Sequence, residues 1–318
     1  MDSPMPRAAR AAPIVLLGIL LAASPHAATA QPVSRTRVDT TFGFNKGASV
    51  DLGLISGEII VTGWNRAEAH VVARIEQGEL LTTLTSNRIS IETGSRRRYA
   101  GERHHDMGEA RYEVSVPIGT RVHASAVSGD VRVRATAGEL QVSTVSGSIE
   151  ATDATDRITI ASVSGDVHAS KLRGRASIST TSGGVELDDV AGDLSVQSVS
   201  GDIRTRRVRS AHVRAETVSG EVTYSGSVDA NGSYEFSTHS GGVRLEIPSG
   251  AGANLELQTF SGSISSSFPI TLQPDDVQRS RRGRQLQFTI GNGGARISAH
   301  AFSGDITIER STRPDKEE

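Results

Sequence analysis

The chain has 318 residues, with 34 Lys and Arg against 36 Asp and Glu, 33 glycines, 4% aromatic residues and no cysteine. The lack of cysteine excludes disulfides, thiolate metal ligands, cysteine nucleophiles and a lipidated N-terminal cysteine. Balanced charge argues against a general nucleic-acid binder, and the small aromatic fraction predicts a narrow core of β-branched side chains.

In chain order, residues 1–30 read as a signal peptide. Arg7 and Arg10 precede a short apolar run from Ile14 to Ala23, and Ala28-Thr29-Ala30 supplies small residues at a cleavage site near Ala30. That run is too short for a span of about twenty residues. No second apolar run follows before Glu318. The expectation is export to the periplasm or beyond, with no stable transmembrane anchor after cleavage.

Residues 31–121 read as an irregular N-terminal β part with a capping role. Val50 to Val61 is a strand, a Ser-Gly bend at Ser56-Gly57, and a second strand; Trp64 follows and is placed to cap the open core. Val71 to Ile75 and Arg88 to Glu92 read as further strands. Residues 94–110 are polar and aperiodic, hence a loop. The loop's His104-His105-Asp106, beside Glu102 and Glu109, is the densest group of potential metal ligands. Adjacent histidines in a polar loop are ordinarily solvated, so no metal site is assigned.

Residues 122–310 form a regular array. Ser-Gly recurs with Ser at 128, 146, 164, 182, 200, 219, 240, 261 and 303, at gaps of 18, 18, 18, 18, 19, 21, 21 and 42. The last gap is twice 21, and the 72 residues from Ser56 to Ser128 are four times 18. Three residues after each Ser stands an aliphatic residue, as in Val131, Ile149, Val167, Val185 and Ile203. Four and six residues before it stand mostly apolar columns, as in Val142 and Leu140 or Ile160 and Ile158. Polar residues alternate between them, the mark of strands with one buried face.

The fold class expected is therefore all-β, a single-chain parallel β-solenoid (β-helix) with 18–21-residue coils and two short strands per coil. Stacked coils would turn each column into a ladder of like side chains. The position two after Ser, with Asp130, Ser148, Asp166, Gly184, Asp202, Glu221, Gly242, Ser263 and Asp305, mostly alternates acidic and neutral residues. Turn formation explains it better than calcium, whose solenoid pattern is a nine-residue repeat absent here. Residues 273–285 interrupt the array as a second loop, and 311–318 read as a charged, disordered tail.

Chemistry is sparse. No nucleophile elbow, phosphate-binding loop or zinc-protease motif occurs, so no catalytic, cofactor-binding or metal residue is assigned and no cofactor is expected. Arginine is more suggestive. Positions four and six after Ser share a face, so Arg132, Arg134, Arg204 and Arg206, joined by Arg207, could hold an anionic polymer; because both signs are interspersed, a solvated strand face is the preferred reading.

The V-S-G-D-V repeats, the opening S-G-E-I-I-V-T-G-W, the middle Y-E-V-S-V-P-I-G-T and the closing G-N-G-G-A-R-I-S-A-H-A-F-S-G-D-I-T-I resemble the bacterial "putative adhesin" family. These are β-strand repeat proteins whose domain is of unknown function. The resemblance covers residues 35 to 310 and implies a fold without catalytic residues to transfer. The expected function is thus an exported, non-catalytic adhesin-like binding or structural module of the cell envelope, whose partner is an envelope polymer or envelope protein and not nucleic acid. An envelope-stress sensor acting through a protein partner is the alternative, and a carbohydrate-active enzyme stands behind both.

Overall fold

The computed structural model describes residues 33–94, 108–269 and 284–311. Residues 1–30, His104-His105-Asp106, residues 273–283 of the second loop and the tail from 312 lie outside the described residues. The described residues are all-β, with 23 strands and no helix.

Period-two sequence becomes two parallel ladders, one on either side of the Ser-Gly bend. In the ladder before the bend, Val50, Val122, Leu140, Ile158, Ala176, Leu194 and Val213 are successive cross-strand partners. In the ladder after it, Ile59, Val131, Ile149, Val167, Val185, Ile203 and Val222 are. All of these side chains are buried, and they form one continuous core. The fold is thus solenoid-like.

Two features go beyond the two-strand coil. Ala135, Asp153, Lys171, Asp189 and Arg207 all have φ between 50° and 56°, and so turn the strand after the bend at a further corner. The next residues, Thr136, Ala154, Leu172, Val190 and Val208, then point inward. Several strands also run through their turns unbroken, as Ile149–Ser164 and Val167–Ser182 do.

The acidic column after the bend has a defined job. Asp130 accepts hydrogen bonds from the Ser148 backbone N–H (2.9 Å) and hydroxyl (2.8 Å). Asp166 accepts from Gly184 N–H, Asp202 from Glu221 N–H and Asp305 from Ser263 N–H. Each carboxylate staples its own coil to a neighbouring one through the backbone N–H of Ser148, Gly184, Glu221 or Ser263. Asp130→Ala is expected to cost about 1–2 kcal/mol, since a charge-assisted bond is lost and a donor is left open. Asp130→Asn, which keeps the acceptor, should recover most of it. Urea titration of the two variants checks this, and equal losses would remove the staple from the account.

The ends depart from simple repetition. Ser56 pairs directly with Ser128, so the 72-residue gap is not three missing coils. The intervening chain extends both ladders instead. Ala110–Pro117 and Arg88–Gly94 add parallel to Ser49–Trp64, and Glu68–Ile75, Arg37–Gly43 and Glu79–Leu84 follow antiparallel. These strands, rather than Trp64, cover the N-terminal end. Trp64 is only half-buried, and its indole N–H donates to the Glu68 carbonyl (2.8 Å) where the chain turns back.

At the other end the chain overshoots. Ala253–Ser261 pairs with Ala295–Ser303, which in turn pairs with Ser233–Ser240. The last coil is therefore inserted between the two that precede it in sequence. Arg284–Ile290 runs antiparallel on the outer side of Ala253–Ser261. The 42-residue gap is this excursion and return.

Candidate functional site

The strand after the bend carries two outward columns, four and six residues after Ser. Register places Arg132, Glu150, His168, Glu186 and Arg204 side by side in the first. The second holds Arg134, Thr152, Ser170, Asp188 and Arg206. Of the sequence-predicted arginines, Arg132, Arg134, Arg204 and Arg206 share this face, and Arg207 sits on the corner beyond it. Arg132 and Arg204 are four coils apart, about 19 Å at the usual strand spacing. A shallow open groove of about 360 Å³ runs between them and includes Arg132, Glu150, His168, Glu186, Arg204 and Arg206 in its lining.

The face is not simply basic. Arg132 contacts Glu58 and lies 3.4 Å from Glu150, which also holds Arg134 at 3.0 Å. Arg204 bonds Asp202 at 2.6 Å, and Arg207, on the corner with φ 50°, pairs with Asp188. Arg206 is exposed and has no ion pair among the described residues. The acidic partners Glu58, Glu150 and Asp188 escaped the sequence reading, although Glu150 sits at the same offset from its Ser as Arg132 does.

At the corner itself, Asp189 receives Arg173 and Arg209, each at 2.8 Å. Burial alone would raise its pKa, but the Arg173 hydrogen bond and the charges of Arg173, Arg209 and Arg207 outweigh that effect. The carboxyl is held below the usual range and stays ionised. Arg173, Arg207 and Arg209 are therefore engaged with the protein's own carboxylates.

No helix of the described residues is long and apolar enough to cross a membrane, and no cluster of three metal-ligating side chains occurs among them.

A family model described as Toastrack DUF4097 matches residues 49–231 and 208–309. The chain matches no curated protein. Similar solved structures include a "putative cell adhesion protein" from Clostridium sporogenes ATCC 15579, at 11% identity over 86% of this chain and 100% of that one, with a TM-score of 0.20. A "putative adhesin" from Bacteroides fragilis NCTC 9343 is 11% identical over 86% of this chain and 96% of its own, with a TM-score of 0.38. A "putative lipid binding protein" from Parabacteroides distasonis ATCC 8503 is 10% identical over 88% and 97%, with a TM-score of 0.31. These likenesses say nothing about ligand or activity. The family matches together span residues 49 to 309, and the chain belongs to the Toastrack DUF4097 family.

Proposed function

We propose that this chain is an exported, non-catalytic β-solenoid, in the periplasm or outside the cell, that works as an adhesin-like binding module of the bacterial envelope. The observation that carries this reading is the in-register stacking of outward side chains over successive coils. Such columns repeat one contact at strand spacing along an extended partner. The carboxylates Glu58, Glu150, Asp188, Asp189 and Asp202 all engage arginines. Carboxylates already engaged by arginines in this way are not free to take a proton-transfer role, which favours binding over catalysis.

The partner proposed is an anionic envelope polymer. Arg206 meets it first because it has no ion pair to give up, and Arg204 and Arg132 follow by exchanging theirs. Arg134 and Arg207 complete the set. Contacts of this kind are short-ranged and sensitive to salt.

The test is co-sedimentation of the purified protein with isolated envelope fractions at low and high salt. Binding at low salt, lost at high salt and weakened about tenfold by Arg204→Ser with Arg206→Ser, is the expected result. Absence of binding at both salts would overturn the polymer reading and turn the search to an envelope protein.

A further inference from the structure

One outward column obeys neither the inward period nor the charged pattern. The residue just before each bend Ser is Ile55, Val127, Val145, Val163, Thr181, Val199, Val218, His239, Phe302 and Phe260, in spatial order. The column contains eight of the nine large hydrophobic side chains exposed among the described residues. The five valines are each 47–50% exposed. At the C-terminal end the column becomes a ring stack, with His239 on Phe302 at 4.7 Å and Phe302 on Phe260 at 5.0 Å. Ten positions at about 4.8 Å make an apolar ridge roughly 43 Å long. Exposed apolar side chains scattered singly need no explanation, but a contiguous line of this length does.

We infer that this ridge is the contact surface for a second copy of the same chain, giving a ridge-to-ridge homodimer. Charge is the first argument. In the coils from Leu140 to Ser200, the column next to the ridge is Ser143, Ala161, Ser179 and Gln197, and the one beyond it is likewise uncharged. A neutral surface can face its own copy without repulsion and offers nothing to a polyanion. Period is the second argument. Both copies carry the same spacing, so the ridge side chains of one, valines over most of the middle coils, can sit between those of the other in the manner of interdigitated sheets.

Area is the third argument. The ridge and the two columns beside it, at about 7 Å per column pair, form a strip roughly 14 Å wide, uncharged in the coils from Leu140 to Ser200 and carrying Asp51 at one end and Arg214, Glu216, Glu235 and Glu256 toward the other. That is about 600 Å² per partner, the lower end of what a specific stable pair buries. Other occupants fit less well. Sugars favour flat rings, and these are confined to one end of the ridge; the valines elsewhere offer none.

The column itself supplies the test substitution, because Thr181 already occupies it. The variant Val145→Thr, Val163→Thr, Val199→Thr and Val218→Thr keeps β-branching and shape while making the ridge polar. Sedimentation equilibrium of the purified protein is expected to show a concentration-dependent dimer. In the fourfold variant its dissociation constant should rise at least about 100-fold, since eight valines per dimer lose apolar burial.

Far-ultraviolet circular dichroism of the variant should match the parent. Arg134→Ser with Arg206→Ser, on the charged face, should leave dimerisation unchanged, which separates this result from polymer binding. A parent protein that stays monomeric throughout, or a folded fourfold variant that dimerises as tightly as the parent, would overturn the proposal. Ridge-dependent binding of a monomeric parent to phosphatidylcholine vesicles would overturn it in favour of a lipid surface.

Discussion

Gly201→Ala is expected to destabilise the fold by about 3 kcal/mol or more. Gly201 lies in the Ser-Gly bend with φ 150°, and a Cβ added there would sit 2.1 Å from the Gly183 carbonyl oxygen. No side-chain rotation relieves that clash, since both groups are backbone. Moving Gly183 away would disturb its own N–H bond to Ser200 (3.1 Å) and push it toward Gly165, whose oxygen is already 2.4 Å from the Cβ that Gly183 would carry. The bend glycines thus transmit strain from coil to coil. Gly184 is the control, because its added Cβ would meet nothing closer than Asp166 Oδ1 at 3.6 Å. Gly184→Ala should shift stability by no more than about 0.5 kcal/mol. Urea midpoints for the two variants settle the matter. Similar midpoints would mean that the coils separate easily and that close backbone approach is not what the glycines provide.

The contrast between Gly201 and Gly184 shows what the sequence can carry. Recurrence of Ser-Gly, with the inward columns at fixed offsets, was enough to predict Leu140, Ile158 and Ala176 as one ladder and Val131, Ile149 and Val167 as another. Register follows from pattern here because a one-residue slip would expose every buried side chain. The identity of the neighbouring coil is a different kind of information. A period-two pattern tells which face is buried and not which strand lies alongside, so the pairing of Ser56 with Ser128 and of Ser303 with both Ser240 and Ser261 was not legible. The antiparallel N-terminal strands escaped for the same reason. The corner at Asp153 and its equivalents carries no common residue type, and Ala135, Lys171 and Arg207 there are poor markers of positive φ. As for the candidate site, the shared face of Arg132 and Arg204 was readable from their offset. Which acid pairs with which arginine was not, because Glu58 reaches Arg132 and Glu150 reaches Arg134 from neighbouring coils whose order the pattern leaves open.

Removing residues 295–318 is expected to unfold the C-terminal end, not merely shorten the array. A terminal unit of a repeat protein has one interface to lose, whereas the last coil has two. It lies between Ser233–Ser240 and Ala253–Ser261 in one ladder, and between Val243–Pro248 and Ile264–Ser266 in the other. Burial of Ile297, Ile306 and Ile308 alone contributes roughly 6 kcal/mol. Side-chain sizes make the place specific, since the small Ala299 stands between Phe236 and Leu257. Without it, direct stacking of the outer coil would bring those two large side chains together at the end of the row where Ala215, Phe236, Ala299 and Leu257 alternate small and large. Amide hydrogen exchange of the truncated protein should therefore show protection lost over Ala253–Ser261 and Arg284–Ile290, with the coils before Val213 still protected. If Ala253–Ser261 stays protected, the outer coil has closed onto Ser233–Ser240 in chain order. The insertion would then be one of two accessible packings and not a requirement of the core. Loss of protection would instead mean that this end of the array forms only after the final strand has been made, because its outer coil has no partner until the chain returns.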